Sequence, residues 1–349
     1  MPQVALVVLM VVLASCSRGD KNDDAVTTTT KAPTTTLAPS TTEPATGPVA
    51  PLTGLRVSDG SLLARPALAV KVDNLDNASQ SAVPQAGLAE ADLVYEVIVE
   101  GNITRFVAVF HSHAAGRVGP VRSARTTDLS LLQPFGKILF AWSGGNDGVR
   151  AAVRDAPHLL DVGHDNLPAS YHRDSSRRAP HNLFVDADEL WKSPKADGVA
   201  APQPIFRYRT EGQAQPATAE AAAGIDLTWG AGGTPVAWRW DAKTQSYLRS
   251  QRGRAHNDAE GDRLTAKNVV VLVTAYGQSG ADARSPEAIT TGTGEAFVYT
   301  QGRVIHGRWG RLVPEAPASL FDSTGAPMLL TPGRTWVELP RAGGVTTIR

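Results

Sequence analysis

Residues 91–113, ADLVYEVIVEGNITRFVAVFHSH, contain two long apolar runs separated by Gly101-Asn102. This pattern predicts two strands joined by a tight turn, because glycine and asparagine between strand-forming runs favour a β-hairpin. Side chains alternate between the two faces of a strand, so Glu96 and Glu100 are predicted to share one face. Arg105 begins the second strand, and we expect it to pair with Glu100 across the turn.

The remaining pattern indicates the fold class α+β. PALAVKVDN (66–74) and KILFAWSGG (137–145) are typical of buried strands, and helices are predicted from Ser123 and within NDGVRAAVRDA (146–156). Residues 194–230 are rich in alanine, proline, glycine and glutamine, and strands dominate the sequence beyond them. We therefore expect a mixed α/β N-terminal domain at 52–193, a linker at 194–230, and a β-rich C-terminal domain at 231–349.

Length and charge narrow the classes of function. The chain has 349 residues and a formal net charge of +0, with 34 basic and 34 acidic residues. A chain of this length favours two globular domains. A dedicated nucleic-acid-binding protein normally has a broad basic excess, so we expect no nucleic-acid partner.

The N-terminal residues predict a lipid anchor. Residues 4–14 form an apolar run of signal-peptide length, and the following LASC resembles the bacterial lipobox, with Cys16 as the lipidated residue. The opening MPQ has no basic residue, which indicates an atypical signal or a start further upstream. Residues 1–16 are thus a predicted lipoprotein signal peptide. The membrane is the expected partner, with the protein on its extracytoplasmic face.

Residues 17–51 are rich in threonine and proline and contain almost no large apolar side chains. Such a segment cannot bury enough apolar surface to fold, so it is predicted to be a disordered tether. Cys16 is the one cysteine of the chain. Its lipidation would leave no thiol for disulfides, cysteine–zinc sites or a cysteine nucleophile.

The stretch RVGPVRSART (117–126) contains three arginines around a Gly-Pro pair, and they are candidates for an anion-binding site. A helix beginning at Ser123 would place its N-terminal amides beside Arg122 and Arg125, and such an arrangement attracts anions. The alternative is that the same arginines form structural ion pairs with carboxylates such as Glu96, Glu100 or Asp128. The sequence leaves both interpretations open.

A second polar cluster, YHRDSSRRAPHNLF (171–184), has the composition of a functional loop. We expect Tyr171, His181 and Asn182 to shape the rim of a binding site; an ordinary solvated loop is the alternative. Familiar catalytic and phosphate-binding motifs are absent from the sequence, and His111-x-His113 alone is a weak indication of a metal. We predict no cofactor and no metal site.

Several segments resemble the YerB-like bacterial lipoprotein family, in the same order and over nearly all of the chain from Leu52 onward. They are PLTGL, RPALAVKVDN, ADLVYEVIVEGNITRFVAVF, GPVRSAR, RRAPHNLF, TGTGEAFVYTQGRVIHGRW and TWVEL. The resemblance implies a two-part domain of unknown function and a mixed α/β fold with layered sheets. It includes positions matching Glu96, Glu100, Arg105, Arg122, Arg125, His181 and Asn182, without implying a catalytic role for any of them.

Together these observations predict a membrane-anchored lipoprotein that binds an anionic cell-envelope ligand, namely a wall polymer, peptidoglycan or a phosphorylated glycan. The predicted contacts are Glu96, Glu100, Arg105, Arg122, Ser123, Arg125, Tyr171, His181 and Asn182. Two alternatives remain. One is an envelope hydrolase or transferase using histidine and glutamate or a metal; the other is an assembly factor that binds another protein.

Overall fold

The computed structural model describes residues 47–77 and 79–349. Helices are short in this part of the chain. The α-helices are α1 (Thr126–Leu132), α2 (Asp147–Asp155) and α3 (Ala187–Leu190). The 3-10 turns are Ser61–Ala64, Leu88–Glu90, Glu100–Asn102, Gln133–Phe135, Pro168–Ser170 and Pro194–Ala196.

Strands form most of the regular structure and are numbered in chain order. They are β1 (Leu68–Asp73), β2 (Leu93–Ile98), β3 (Thr104–Phe110), β4 (Arg117–Val118), β5 (Ile138–Ala141), β6 (Leu159–Asp161), β7 (Tyr171–Arg173), β8 (Leu183–Asp186), β9 (Glu220–Ala221), β10 (Gly224–Leu227), β11 (Val236–Asp241), β12 (Ser246–Gln251), β13 (Arg254–Ala255), β14 (Thr265–Ala266), β15 (Asn268–Leu272), β16 (Tyr276–Gln278), β17 (Pro286–Ala288), β18 (Gly292–Thr300), β19 (Arg303–Arg311), β20 (Ser319–Asp322), β21 (Thr335–Glu338) and β22 (Val345–Ile348). The fold belongs to the α+β class, as the sequence predicts.

One large sheet organises the described residues. Its strand order is β20-β19-β18-β15-β21-β2-β3-β1-β5-β6, with β9 paired to β19. β2 and β3 form the expected hairpin, while β1 runs parallel to β5 and β2 runs parallel to β21. The β2–β21 pair joins a strand of the N-terminal part to a strand of the C-terminal part, so hydrogen bonding is continuous along this sheet.

Both faces of the large sheet are covered, which explains the nearly unbroken burial of its central strands. On one face, residues such as Tyr95 and Val107 pack with Leu132 of α1 and Val153 of α2. On the other face, Phe106 and Val94 belong to a second core with residues of two smaller sheets. These smaller sheets have the orders β13-β12-β11-β10-β22, with β14 beside β12, and β4-β8-β7. The sheets are therefore layered.

Two boundaries differ in detail from the sequence pattern. α1 begins at Thr126, with Arg125 as its N-cap, three residues later than the start predicted at Ser123. Asp128 explains the later start, since its Oδ2 accepts a hydrogen bond from the Arg125 backbone amide at 2.8 Å. The predicted linker 194–230 contains β9 and β10, which pair with β19 and with β11 and β22.

The signal peptide, the lipidation site Cys16 and residues 17–46 of the predicted tether lie outside the described residues. No helix in the part of the chain that is described has the length and apolar character needed to cross a membrane.

Candidate functional site

The candidate site lies where the parallel strands β1 and β5 separate. Beyond the paired part of β1 and β5, residues 120–122 pair with the end of β1. The Asp73 amide donates to the Pro120 carbonyl at 2.9 Å, and the Arg122 amide donates to the Lys71 carbonyl at 2.8 Å. Ser143, after β5, donates its amide to the Arg122 carbonyl at 3.0 Å. Ligands of open α/β sheets commonly bind at such a carboxyl-terminal edge.

Asp73 is the acidic centre of this edge. Its Oδ2 accepts a hydrogen bond from Nε of Arg122 at 2.8 Å and lies 2.6 Å from Nδ1 of His181. A carboxylate only accepts, so Nδ1 of His181 carries the proton. Burial would raise the pKa of Asp73, but the hydrogen bond from His181 and the positive charges of Arg122 and Arg105 outweigh it and leave that pKa lowered.

Glu100 is the second acid of the site. It lies in the turn between β2 and β3, where Gly101 has a φ of 66° and Asn102 a φ of 58°, as the Gly-Asn pair predicts. Oε1 of Glu100 accepts from Nε of Arg125 at 2.5 Å, and Oε2 lies 3.9 Å from Nη2 of Arg105. Burial would raise the pKa of Glu100, but hydrogen bonds from Arg125 and Ser285 lower it to about 2.

Arg105 is buried, but its guanidinium group is only partly hydrogen-bonded. It lies opposite Asp73 in the β1–β3 register and is 5% exposed. Nη1 donates to the Ser123 carbonyl at 3.1 Å, whereas the buried Nε has no partner among the described residues. Burial, and then the positive charge of Arg125, lower the pKa of Arg105 to about 10. Arg105 therefore remains charged at neutral pH.

The three guanidinium groups have two acidic partners in the described part of the chain. Arg105, Arg122 and Arg125 approach Asp73 or Glu100 within 4 Å, and no other carboxylate. We call Asp73, Glu100, Arg105, Arg122 and Arg125 the arginine cluster. The expected Glu100–Arg105 pair is present, although 3.9 Å makes it a long one. Arg122 is the most accessible of the three arginines, with 23% of its side chain exposed.

An open groove lies beside the arginine cluster and is lined in part by the hairpin turn. Its volume is about 400 Å³, and it is lined in part by Gly101, Asn102, Arg284, Ser285 and Arg341. The hydroxyl of Ser285 donates to Glu100. Ser285 thus connects the groove to the cluster. Arg284 and Arg341 contribute two further guanidinium groups to the groove.

Glu96 lies on the opposite face of the large sheet from Arg105. Its register partner on β3 is Phe106, whereas the partner of Arg105 on β2 is Val97. Oε2 of Glu96 accepts from Nη2 of Arg249 at 2.6 Å, and both side chains are fully buried. The prediction that Glu96 belongs to the same site as Arg105, Arg122 and Arg125 is wrong, because paired residues of the two strands point to the same face and Glu96 is paired with Phe106.

His181 is the one residue of the predicted rim whose side chain reaches the cluster. Tyr171 is buried and donates its hydroxyl to the Val162 carbonyl at 2.6 Å. Oδ1 of Asn182 accepts from Nη1 of Arg173 at 2.9 Å. Ser123 also contributes to the site, but with its backbone carbonyl, which accepts a hydrogen bond from Arg105.

Two contacts of the site were not predicted from the sequence. Lys71 and Asp128 form a fully buried ion pair of 2.6 Å that ties β1 to α1. The alternation Ala69, Lys71, Asp73 along β1 could have indicated it, since these positions share a face. Ser285 comes from the C-terminal part, 185 residues from its partner Glu100, and no local pattern could have placed it there.

Within residues 47–77 and 79–349, no group of three or more histidine, cysteine, aspartate or glutamate side chains is arranged to hold a metal ion. His111 is buried, with Nε2 3.1 Å from the Arg65 carbonyl, while His113 is exposed. The weak His-x-His pattern therefore has no third ligand in the described structure.

Family models match both parts of the chain. The N-terminal domain model of the family described as "protein of unknown function (DUF3048)" matches residues 52–200, and its C-terminal domain model matches residues 225–337. The chain belongs to this family. The resemblance noted from the sequence segments is thereby confirmed. The two matches leave residues 201–224 between them, within the predicted linker 194–230.

A relative with a solved structure shares the fold. YerB of Bacillus subtilis (strain 168), which its name describes as a candidate lipoprotein, is 30% identical over 298 residues, covering 83% of this chain and 85% of YerB. The crystal structure of YerB from Bacillus subtilis superposes with a TM-score of 0.73 at 25% identity, covering 86% of this chain and all of that one.

Proposed function

We propose that this protein is a lipid-anchored envelope protein that binds an anionic polymer of the cell envelope at the arginine cluster. The anchor would be Cys16, in keeping with the description of the relative YerB as a candidate lipoprotein. The tether, predicted at 17–51, would extend the folded part away from the extracytoplasmic face of the membrane. Its last residues belong to the fold instead, since Ala50 is buried and its amide donates to the Leu55 carbonyl at 2.8 Å. The division into domains at 52–193 and 231–349 is part of the same proposal.

The observation that carries the proposal is the incomplete pairing of Arg105. Buried charges in proteins are normally paired and hydrogen-bonded, because leaving them unpaired is costly. The Nε of Arg105 has no partner among the described residues, and three guanidinium groups share two carboxylates. A phosphate or carboxylate of a polymer would bind at Arg122, the most accessible of the three arginines, and its negative charge would add to that of the two carboxylates shared by the cluster. Arg284 and Arg341 in the adjacent groove would contact further anionic groups.

The test is a titration of the full-length protein, purified in detergent, with a glycerol-phosphate wall polymer and with soluble peptidoglycan fragments. We expect one of them to bind, with affinity falling as salt rises, because surface charge interactions are screened. Arg122→Gln should weaken binding about tenfold or more, in line with the loss of a charge-assisted contact.

Arg150→Gln is the matched control. Arg150 also pairs with an aspartate, Asp165 at 2.9 Å, but it lies on α2 away from the cluster and is 48% exposed. This variant should bind as wild type. Equal binding by wild type and Arg122→Gln, or no binding of either polymer, would disprove the proposed site.

A second candidate function, an envelope hydrolase or transferase, is favoured by the Asp73–His181 pair. An aspartate 2.6 Å from Nδ1 orients the ring as in catalytic dyads, which leaves Nε2 to act as a base. Nε2 lies 3.1 Å from Oε1 of Gln80, an oxygen that only accepts hydrogen bonds. The Gln80 amide would therefore have to turn or move away for Nε2 to be an unprotonated base and to admit a substrate.

Incubation of the full chain with purified wall polymers, followed by chromatography of released fragments, tests this candidate. A hydrolase would release fragments that His181→Gln does not. If wild type releases nothing, or if His181→Gln is equally active, His181 has only a structural role at Asp73.

A further inference from the structure

A second groove, of about 660 Å³, lies between the loop that follows β1 and the β12–β13 hairpin. The family matches place the loop in the N-terminal part of the chain and the hairpin in the C-terminal part. The volume is within the range of about 300–1,000 Å³ that small-molecule sites have in proteins. The lining includes Asp76 and Val83 from the loop, and Arg252, Arg254 and Ala255 from the hairpin.

Both walls of the second groove are held by contacts outside it. On the loop side, Arg177 donates from Nη1 to the Ala82 carbonyl at 3.2 Å and from Nη2 to the Pro84 carbonyl at 2.5 Å. On the hairpin side, Arg252 and Gly253 join β12 to β13 with φ values of 50° and 71°, as in a tight two-residue turn. The groove is therefore built into the fold.

Asp76 is a buried acid whose described partners are distant. It is 6% exposed. Its nearest side-chain donors among the described residues are Nη2 of Arg254 at 3.2 Å and Nε2 of Gln251 at 3.4 Å. Hydrogen bonds between a guanidinium and a carboxylate are normally about 2.7–2.9 Å long, as in the 2.8 Å contact of Arg122 with Asp73. Asp76 thus lacks a donor at full hydrogen-bonding distance in the described part of the chain.

Arg252 and Arg254 have unused donors beside this acid. Nε of Arg252 lies 3.8 Å from Oδ2 of Asp76, and the Arg252 side chain donates no hydrogen bond to the described residues. Arg254 donates within the same described part of the chain through Nη2, and to Asp76 alone. The two side chains are 43% and 70% exposed and line the groove, so a ligand can reach them.

The spacing of these charges limits the ligand class. Nη2 of Arg254 and Oδ2 of Asp76 are 3.2 Å apart, so a ligand that binds both needs an acceptor and a donor joined by a short covalent link. An α-amino acid has this property, because one carbon joins its ammonium and its carboxylate. A ligand that carries only negative charge would bring a second anion against Asp76, and like charges at such distances repel.

We propose that the second groove binds a free α-amino acid with an apolar side chain. Its carboxylate accepts from Arg252 and Arg254, while its ammonium donates to Asp76. Its side chain lies against Val83 and Pro84, which line the same groove. The ligand thereby replaces a long Asp76–Arg254 contact with two close ion pairs. This site is separate from the arginine cluster and does not depend on the function proposed there.

The test compares leucine with two analogues that each lack one charge, by calorimetry on the full-length protein in detergent. Isocaproate has the carboxylate and the apolar body without the ammonium, and isoamylamine has the ammonium without the carboxylate. Leucine should bind about tenfold or more tightly than either, because each analogue loses a charge-assisted hydrogen bond. Inorganic phosphate should bind more weakly than leucine.

Two variants assign each charge of the ligand to its partner. Arg254→Gln should weaken leucine binding about tenfold and reduce the advantage of leucine over isoamylamine. Asp76→Asn should remove the advantage of leucine over isocaproate, since it removes the charge that the ammonium meets. Because Arg254 is 70% exposed, Arg254→Gln tests the proposal even if Asp76→Asn, at a buried position, fails to fold.

Arg239→Gln is the matched control. Arg239 lies on β11 of the same sheet, is 43% exposed and pairs with Asp226 at 2.6 Å, but it does not line the second groove. This variant should bind leucine as wild type does. Arg122→Gln should also bind leucine normally, which separates this site from the arginine cluster.

Equal binding of leucine, isocaproate and isoamylamine, or no binding of any of them, would overturn the proposal. Tighter binding of phosphate than of leucine would also overturn it and would assign the two arginines to a simple anion. Wild-type affinity for leucine in Arg254→Gln would show that this arginine does not contact the ligand. The expected companion result is a higher Tm with leucine in wild type and a smaller increase in Arg254→Gln.

Discussion

At the scale of single residues, the most informative feature is a pair of buried acids on neighbouring strands. Glu96 and Glu338 are register partners in the parallel β2–β21 pair, and both are fully buried. Arg249 neutralises Glu96, whereas Glu338 accepts from the Trp238 indole at 2.8 Å and its Oε2 has no partner among the described residues. Burial, followed by the negative charge of Glu96, raises the pKa of Glu338 well above its ordinary value. Glu338 is therefore the acid that holds a proton.

This pairing predicts that Glu338→Gln increases stability at alkaline pH. The native pKa of Glu338 lies above its unfolded value of about 4.5, so the native state binds a proton that the unfolded state releases. The stability from this group is complete below pH 4.5 and falls as pH rises. Glutamine mimics the protonated acid. The variant should gain about 1 kcal/mol or more at pH 8 and little at pH 4, measured by urea unfolding.

Glu96→Gln is the contrasting variant. It leaves Arg249, which is fully buried, without its carboxylate, and such losses cost about 3–5 kcal/mol. Glu220→Gln provides a surface comparison, since Glu220 pairs with Arg349 at 59% and 72% exposure and should change stability little. A stability gain for Glu338→Gln that did not depend on pH would contradict the assignment of the shared proton to Glu338.

At the scale of elements, α2 shows how a short helix is held against the C-terminal part. Asn146 is its N-cap, and Oδ1 accepts from the Val149 amide at 2.8 Å. Nδ2 of the same side chain donates to the Ala281 carbonyl at 3.0 Å. One asparagine therefore caps α2 and fastens it to a loop of the C-terminal part.

Asn146→Ala should destabilise the protein by about 1–2 kcal/mol, because it removes both the cap and the contact with Ala281. Asn146→Asp keeps the cap acceptor but not the Nδ2 donor, so it should fall between wild type and alanine. Asn166→Ala, on an exposed loop after β6, should change stability little. Chemical denaturation of the four proteins measures these differences, and equal values for Asn146→Ala and Asn166→Ala would contradict the role of the cap.

At the scale of the whole molecule, the described residues from both family domains share one sheet. β2 and β21 pair in parallel, and the Glu96–Arg249 ion pair links this sheet to the sheet that contains β12. Arg249 and Trp336 both come from the C-terminal part, yet they pack around Phe106 of the N-terminal part. The matched parts therefore share both hydrogen bonds and core.

This continuity predicts coupled unfolding. Backbone amides of β2 and of β21 should show the same, highest protection against hydrogen exchange, because opening either strand exposes the other. Glu96→Gln should lower the protection of both strands by the same factor. Independent unfolding of residues 52–193 and 231–349 would instead give two protection levels, and hydrogen exchange followed by mass spectrometry distinguishes these outcomes.

Local patterns in the sequence determined the strands and the turns that join them. The alternation and turn residues of 91–113 produce the β2–β3 hairpin, and Gln301-Gly302 likewise joins β18 to β19. The same patterns determined the α+β class, and the family segments carried the resemblance that the family models confirm. These features depend on neighbours in sequence, so propensity and periodicity are sufficient to predict them.

Only the tertiary structure decided which charges meet. Glu96 and Glu100 are four residues apart, yet one pairs with Arg249 and the other with Arg125. Such contacts depend on register and layer packing between distant segments, and a one-residue change of parity moves a side chain to the other face of the sheet. The sequence therefore determined the strands and their turns, while long-range packing decided which buried charges were left in need of a partner.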